Sequence, residues 1–151
     1  MRILVINGPN INMLGIREPG IYGKTSYPEL NKMIEDHAKK KGIEIAIMQS
    51  NHEGDLVDAI QQAYYQAVDG IVINPGAYTH TSIALLDALK AVGIKACEVH
   101  ISDPDAREDF RKTSYIRQAC GKTICGHGPR GYLEAIDWLC EGYDALKGKR
   151  K

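Results

Sequence analysis

The sequence predicts a doubly wound α/β sandwich, a parallel sheet of five strands with helices on both faces. Two observations carry the prediction. Five short apolar runs recur along the chain, and helical patterns fill the gaps between them. Strands separated by helices pair in parallel, and a parallel sheet is covered on both faces. No internal repeat or low-complexity stretch competes with this plan.

Taken in order, the first strand is "RILVI" (2–6). Residues 7–23, "NGPNINMLGIREPGIYG", follow it with no helical or strand period. The first helix begins at Ser26, where Glu29 three positions on completes a capping box and Pro28 sits in the first turn; Gly42 ends it. The second strand is "IEIAIM" (43–48), and a helix with Leu56, Ile60 and Ala63 on its apolar stripe runs from Glu53 to Ala67. The third strand is "GIVIN" (70–74), followed by a helix from Ser82 to Val92 that stops at Gly93. The fourth is "KACEV" (95–99). Residues 103–121 are the least regular, and "REDFRKTSYIRQA" is expected to supply a short helix. The fifth strand is "KTIC" (122–125), and the last helix spans Gly131 to Leu146 with Leu133, Ile136 and Leu139 in period. The expectation is a flavodoxin-like three-layer sandwich in one catalytic domain, residues 1–146, and a disordered basic tail, "KGKRK", at 147–151.

Composition narrows the function. The chain has 151 residues, one domain's worth, with 44% apolar and 25% charged residues, as in ordinary soluble domains. Nineteen basic residues balance nineteen acidic ones, so no net field favours nucleic acid or a membrane surface. No apolar run approaches the ~20 residues of a membrane span, and the N-terminal residues do not read as a signal peptide. The expected location is the cytoplasm. Cys97, Cys120, Cys125 and Cys140 show neither a C-x-x-C pair nor zinc-finger spacing. They are expected to be free thiols, with Cys97, Cys125 and Cys140 buried, and no metal site is expected.

In open parallel sheets, ligands bind beyond the carboxyl ends of the strands. The residues there are Asn7-Gly8-Pro9-Asn10-Ile11-Asn12, Gln49-Ser50-Asn51-His52, "NPGAYTHTS" (74–82), His100-Ile101-Ser102 and "GHGPRG" (126–131). Such an edge, rich in Asn, His, Ser, Thr and Tyr and poor in carboxylates, suits a small hydroxylated or anionic ligand. Each piece also has a structural explanation. Asn-Gly-Pro and Asn-Pro-Gly are common turn chemistry, and Tyr78 and Tyr115 suit packing with a hydrogen-bonded hydroxyl. His80 and His100, taken singly, fit structural roles. Glu98 changes the balance for His100, because strand residues two apart share a face and a carboxylate there can orient an imidazole.

Familiar chemistries are set aside on the same residues. "GHGPRG" matches G-x-G-x-x-G, but it is not in a first βαβ unit followed by a strand-end acid, so it reads as a tight turn rather than a dinucleotide site. "NGPNIN" lacks the hydroxyls of a flavodoxin phosphate loop and the paired acids of a receiver domain, and no G-x-S-x-G elbow exists. Acid–base chemistry by Tyr, His and Arg remains. A tyrosine is a poor base at its reference pKa of about 10, and a nearby guanidinium stabilises the phenolate. Arg17 and Tyr22 share one loop, with Gly15, Gly20 and Gly23 as hinges. That loop is expected to be a lid that delivers a base and its activator.

The blocks "ILVINGPNINMLGIREPGIYG", "NPGAYTHTSIALLDAL", "EVHIS", "AREDFR" and the closing "GxGxxGY" resemble the type II 3-dehydroquinate dehydratases, in order and spacing, from Met1 to about Leu146. The resemblance implies dehydration of 3-dehydroquinate to 3-dehydroshikimate by anti elimination through an enolate, with no metal or organic cofactor. It implies Tyr22 as base, Arg17 as its activator, and Asn12 as the enolate-stabilising side chain, acting through a water. It implies His100 as the acid that protonates the leaving hydroxyl, with Glu98 as its partner. Asn74, Ile101 and Ser102 would hold the substrate carboxylate, while His80 and Arg111 would bind ring hydroxyls. Asp87 would reach into a neighbouring subunit's site, in a dodecamer of trimers.

The sequence departs from the family pattern after His100-Ile101-Ser102, where Asp103 and Asp105 stand, and at Leu86, where an arginine is common. The acids are expected to raise KM by like charge, and Leu86 to alter a contact between subunits. Two other function classes stay open here. One is a non-catalytic module binding a small ligand in the same crevice; the other is a nucleotide-binding oxidoreductase built on "GHGPRG".

Overall fold

In the computed structural model, which describes residues 1–148, five parallel strands form one sheet: β1 (Arg2–Asn7), β2 (Glu44–Gln49), β3 (Gly70–Asn74), β4 (Ala96–His100) and β5 (Lys122–Cys125). Their order is β2-β1-β3-β4-β5, the flavodoxin-like arrangement. The reversal of strand order, the topological switch point, falls between β1 and β3, whose last residues Asn7 and Asn74 lie opposite each other.

Two cores flank the sheet. On one face Ile3, Val5, Val72, Cys97 and Val99 meet Leu30 and Ile34 of α2 (Tyr27–Lys41) and Tyr132, Ile136 and Leu139 of α5 (Arg130–Gly148). On the other, Ile6, Ile71, Ile73 and Ala96 meet Leu56 and Ile60 of α3 (Glu53–Tyr65) and Leu85 and Leu89 of α4 (Ile83–Val92). Strand residues of alternate parity feed opposite cores, as the pleat requires.

The helix ends follow their caps. Ser26 and Glu29 form the reciprocal capping box of α2, and Gly42 closes it at φ 67°. Gly93 closes α4 at φ 64°. α3 stops at Tyr65, two residues short of the expected Ala67, because Ala67 itself takes φ 52° and cannot continue a right-handed helix.

Four expectations change. Residues 103–121 form three 3₁₀ turns, Pro104–Ala106, Asp109–Arg111 and Ile116–Ala119, instead of one short helix. Only Pro104 and Ile116 are buried in these turns, so no apolar stripe exists to hold a longer helix. The stretch 7–23 contains a 3₁₀ turn at Ile11–Met13 and a four-residue helix, α1 (Pro19–Tyr22). The last helix runs on through Gly148, so the tail expected at 147–151 begins inside it, and residues 149–151 lie outside the described residues. All four cysteines are free; Cys97 is buried, but Cys120, Cys125 and Cys140 are only half-buried. Among the described residues, no helix is long and apolar enough to cross a membrane.

Candidate active site

The turns after β1 and β3 leave the sheet side by side and interlock. Gly8 N–H donates to the Asn74 carbonyl at 2.8 Å. A Cβ on Gly8 would run into the Pro75 carbonyl, and one on Gly76, at φ +59°, would lie 2.9 Å from the Pro9 carbonyl oxygen. Each glycine therefore makes room for the proline of the other turn. Asn-Gly-Pro and Asn-Pro-Gly are thus a fitted pair as well as turn formers.

Beneath them lies a buried polar relay. Asn74 Nδ2–H donates to the Tyr132 hydroxyl at 2.8 Å, and that hydroxyl donates to Asn7 Oδ1 at 2.8 Å. Burial pushes the Tyr132 phenol above its ordinary pKa, so it stays a neutral donor. Gly76 N–H closes the relay on Asn74 Oδ1 at 3.2 Å, which fixes the orientation of that amide.

The turn at 126–128 supports the next wall. Gly126 N–H donates to the carbonyls of His100 and Ser102, and Gly128 N–H to that of Ile101. Across a planar peptide the N–H points opposite the preceding carbonyl, so the Ile101 and Ser102 N–H groups face away from this turn. "GHGPRG" is the tight turn expected of it, and what it organises is the 100–102 segment.

These walls enclose a cavity of about 290 Å³ at the carboxyl edge, lined by Arg17, Tyr22, Asn74, His80, His100, Ile101, Ser102, Arg107 and Arg111, among others. At one side stands Tyr22. The Arg107 guanidinium donates to its hydroxyl at 2.6 Å. Arg17 lies over the ring face, 4.6 Å from its centroid, and pairs with Glu18 at 3.4 Å. The expected activator is therefore stacked on the ring, and a second arginine holds the oxygen. Sequence reasoning missed Arg107; its signal was a second arginine in the "AREDFR" block that also carries Arg111. Of the expected hinge glycines, Gly15 and Gly23 take positive φ, whereas Gly20 sits inside α1.

The same cavity is lined by His100, which is paired with Glu98. His100 Nε2 lies 2.7 Å from Glu98 Oε1, in the same-face geometry expected for alternate residues of β4. Glu98 is fully buried. It also accepts from Ser114 Oγ at 2.8 Å and Thr123 Oγ1 at 3.2 Å, with Arg117 Nε at 3.7 Å. Burial pushes the carboxyl up, but the His100, Ser114 and Arg117 contacts outweigh it and hold Glu98 below its ordinary pKa. An ionised Glu98 accepts from His100 Nε2–H, leaving Nδ1 as the ring nitrogen for the cavity.

The remaining expected residues divide. His80 lines the cavity, its Nδ1 2.6 Å from the Thr113 carbonyl, and Arg111 lines it while pairing with Glu108 at 2.8 Å. Asn12 does not line the cavity; its Oδ1 accepts from Gln49 Nε2 at 3.3 Å. Asp87 is exposed on α4, outside the cavity of its own chain. Leu86 is buried against its own chain, 6% exposed.

Asp103 and Asp105 do not line the cavity either, and Asp103 Oδ1 caps the Asp105 N–H at 3.0 Å. Neither acid therefore touches a ligand in the cavity directly, and any effect of theirs on KM acts through charge at a distance. Burial pushes the Cys97 thiol up to about 12 and Cys125 to about 11, so neither supplies a thiolate at neutral pH.

The chain is similar to known proteins over nearly its whole length. The family described as dehydroquinase class II matches residues 1–140 of the chain. The chain belongs to that family. A 3-dehydroquinate dehydratase of Lachnoclostridium phytofermentans is 56% identical over 137 residues, covering 91% of this chain and 94% of the relative. One of Clostridium beijerinckii is 52% identical over 139 residues, covering 92% and 95%. Among solved structures, a type II dehydroquinase from Butyrivibrio crossotus superposes with a TM-score of 0.91 at 55% identity, covering 92% of this chain and 97% of that one. As in any class II dehydroquinase, function must be sought in the cavity rather than in the fold, which hosts many chemistries.

Proposed function

We propose that this chain is a hydro-lyase that dehydrates 3-dehydroquinate to 3-dehydroshikimate, a step of aromatic biosynthesis or of quinate breakdown, in the cytoplasm. The observation that carries the reading is the presence of two prepared groups in the lining of one small cavity: Tyr22 with Arg107 on its oxygen, and His100 with Glu98 on its ring. An elimination needs a base and an acid that hold opposite protonation states at one pH.

In the proposed reaction Tyr22, as phenolate, removes a proton from the carbon beside the ketone. The electron pair moves onto the carbonyl oxygen as an enolate. Asn12, which does not line the cavity itself, reaches it only through a bound water, and preorganised donors lower this barrier most. The enolate then collapses, the ring C–O bond breaks on the opposite face, and His100 passes its proton to the departing hydroxyl, which leaves as water. Arg17 and Arg107 lower the cost of the phenolate. Asn74 and the N–H groups of Ile101 and Ser102 hold the substrate carboxylate; His80 and Arg111 bind ring hydroxyls. No cofactor takes part in this scheme. Asp87 serves a neighbouring subunit's site, in a dodecamer of trimers.

The test is Tyr22→Phe. Turnover, followed by ultraviolet absorbance of the conjugated enone, falls by at least about 10²-fold, the usual contribution of a general base, while product binding measured by calorimetry is retained. Wild-type levels of turnover in this variant would remove Tyr22 from the chemistry. A wild-type protein that binds the ring acid but never dehydrates it would make the crevice a binding module instead.

A further inference from the structure

Resting on the acid role just proposed for His100, one contact in the irregular 103–121 segment extends the machinery. The short stretch 113–115 is fastened at each residue. The Thr113 carbonyl lies 2.6 Å from His80 Nδ1, and Tyr115 N–H donates to the Thr79 carbonyl at 3.0 Å. Between them Ser114 turns its side chain toward the sheet. Its Oγ accepts the Arg117 N–H at 3.1 Å and donates to Glu98 Oε1 at 2.8 Å. A hydroxyl has one proton to give, and with its lone pair engaged from behind, that proton is directed at the carboxylate.

Oε1 is the same oxygen that receives His100 Nε2, so the two donors share it. Thr123 and Arg117 both address Oε2. We propose that Ser114 is a positioning residue of the acid: by sharing Oε1 with His100 it sets the rotation of the Glu98 carboxylate, and so the angle at which the imidazole presents Nδ1 to the leaving hydroxyl. The arrangement also joins two parts of the site. The backbone that aims Ser114 is the backbone that anchors His80, so a substrate contact at His80 and the alignment of the acid depend on one stretch of three residues. Removing the hydroxyl leaves Glu98 buried, charged and still bonded through Oε2. What is lost is the aim of the imidazole, not its charge partner.

The experiment compares full-length wild type with Ser114→Ala and Ser114→Thr on 3-dehydroquinate. In Ser114→Ala, kcat falls roughly tenfold with KM within about twofold, the scale of one hydrogen bond to a charged group. Because delivery of the proton to the hydroxyl has become the slower step, the solvent deuterium effect on kcat rises. The effect of deuterium at the carbon attacked by Tyr22 falls. Ser114→Thr, which keeps the hydroxyl, recovers most of kcat. A merely structural loss would move neither isotope effect. Wild-type kcat in Ser114→Ala, a loss confined to KM, or a lower kcat with both isotope effects unmoved would each overturn the role. A wild-type enzyme with no turnover of 3-dehydroquinate would overturn the proposed function itself, and this role with it.

Discussion

Glu98 is the residue on which stability and chemistry meet. A fully buried carboxylate is costly unless every lone pair finds a donor, and His100 of β4, Thr123 of β5, and Ser114 and Arg117 of the 103–121 segment answer that cost. Its folded pKa lies below the ordinary 4.5. Ionisation of Glu98 therefore contributes stability that is fully present above that pH and is lost as pH falls through the lower folded value. Thermal unfolding of wild type and Glu98→Gln should differ most near neutrality, with the variant less stable, and the gap should narrow below about pH 4.5. Other carboxylates titrate in both proteins and cancel from the difference. A gap that widens in acid would mean that Glu98 is protonated in the folded state. The two arginines at Tyr22 make a similar point about detail: Arg17 lies over the ring and Arg107 on the hydroxyl, an arrangement that spacing along the chain could not distinguish.

At the scale of elements, what was legible in the sequence follows from periodicity and capping. All five strands and the four long helices stand within a few residues of where pattern placed them, because buried faces and caps are local signals. The 103–121 segment was illegible for the opposite reason. Its order comes from contacts to distant residues, such as Ser114 to Glu98 and Arg107 to Tyr22, which leave no period in its own residues. The Gly–Pro interlock was half legible: turn chemistry was visible, the fit between two turns was not. It predicts a cost at Gly8 that a glycine outside the interlock does not share. Gly8→Ala forces a methyl against Pro75 and should cost about 1–3 kcal/mol or more. Gly54→Ala, in open space on α3, should be neutral or stabilise by less than about 1 kcal/mol. Chemical denaturation midpoints measure both, and equal shifts would contradict the interlock.

At the scale of the whole molecule, the site inferred from the single chain divides into a part the chain completes and a part it does not. Tyr22, Asn74, His80, His100, Ile101, Ser102, Arg17 and Arg111 converge on one cavity, and Arg107 joins them. Asp87, exposed on α4, has no route to it within its own chain. On the proposed assembly, sedimentation at micromolar concentration should give trimers or larger, and Asp87→Ala should raise KM while leaving the assembly intact. An active monomer would leave Asp87 without a part. The pairing of Tyr22 with Arg107, 85 positions apart, has one more implication. Chains are synthesised from the N-terminus and fold as they emerge, so the phenol leaves the ribosome well before the guanidinium that grips it. On the proposed chemistry a nascent or truncated chain holds its base with Arg17 alone, and full catalytic competence arrives only once translation has delivered the second half.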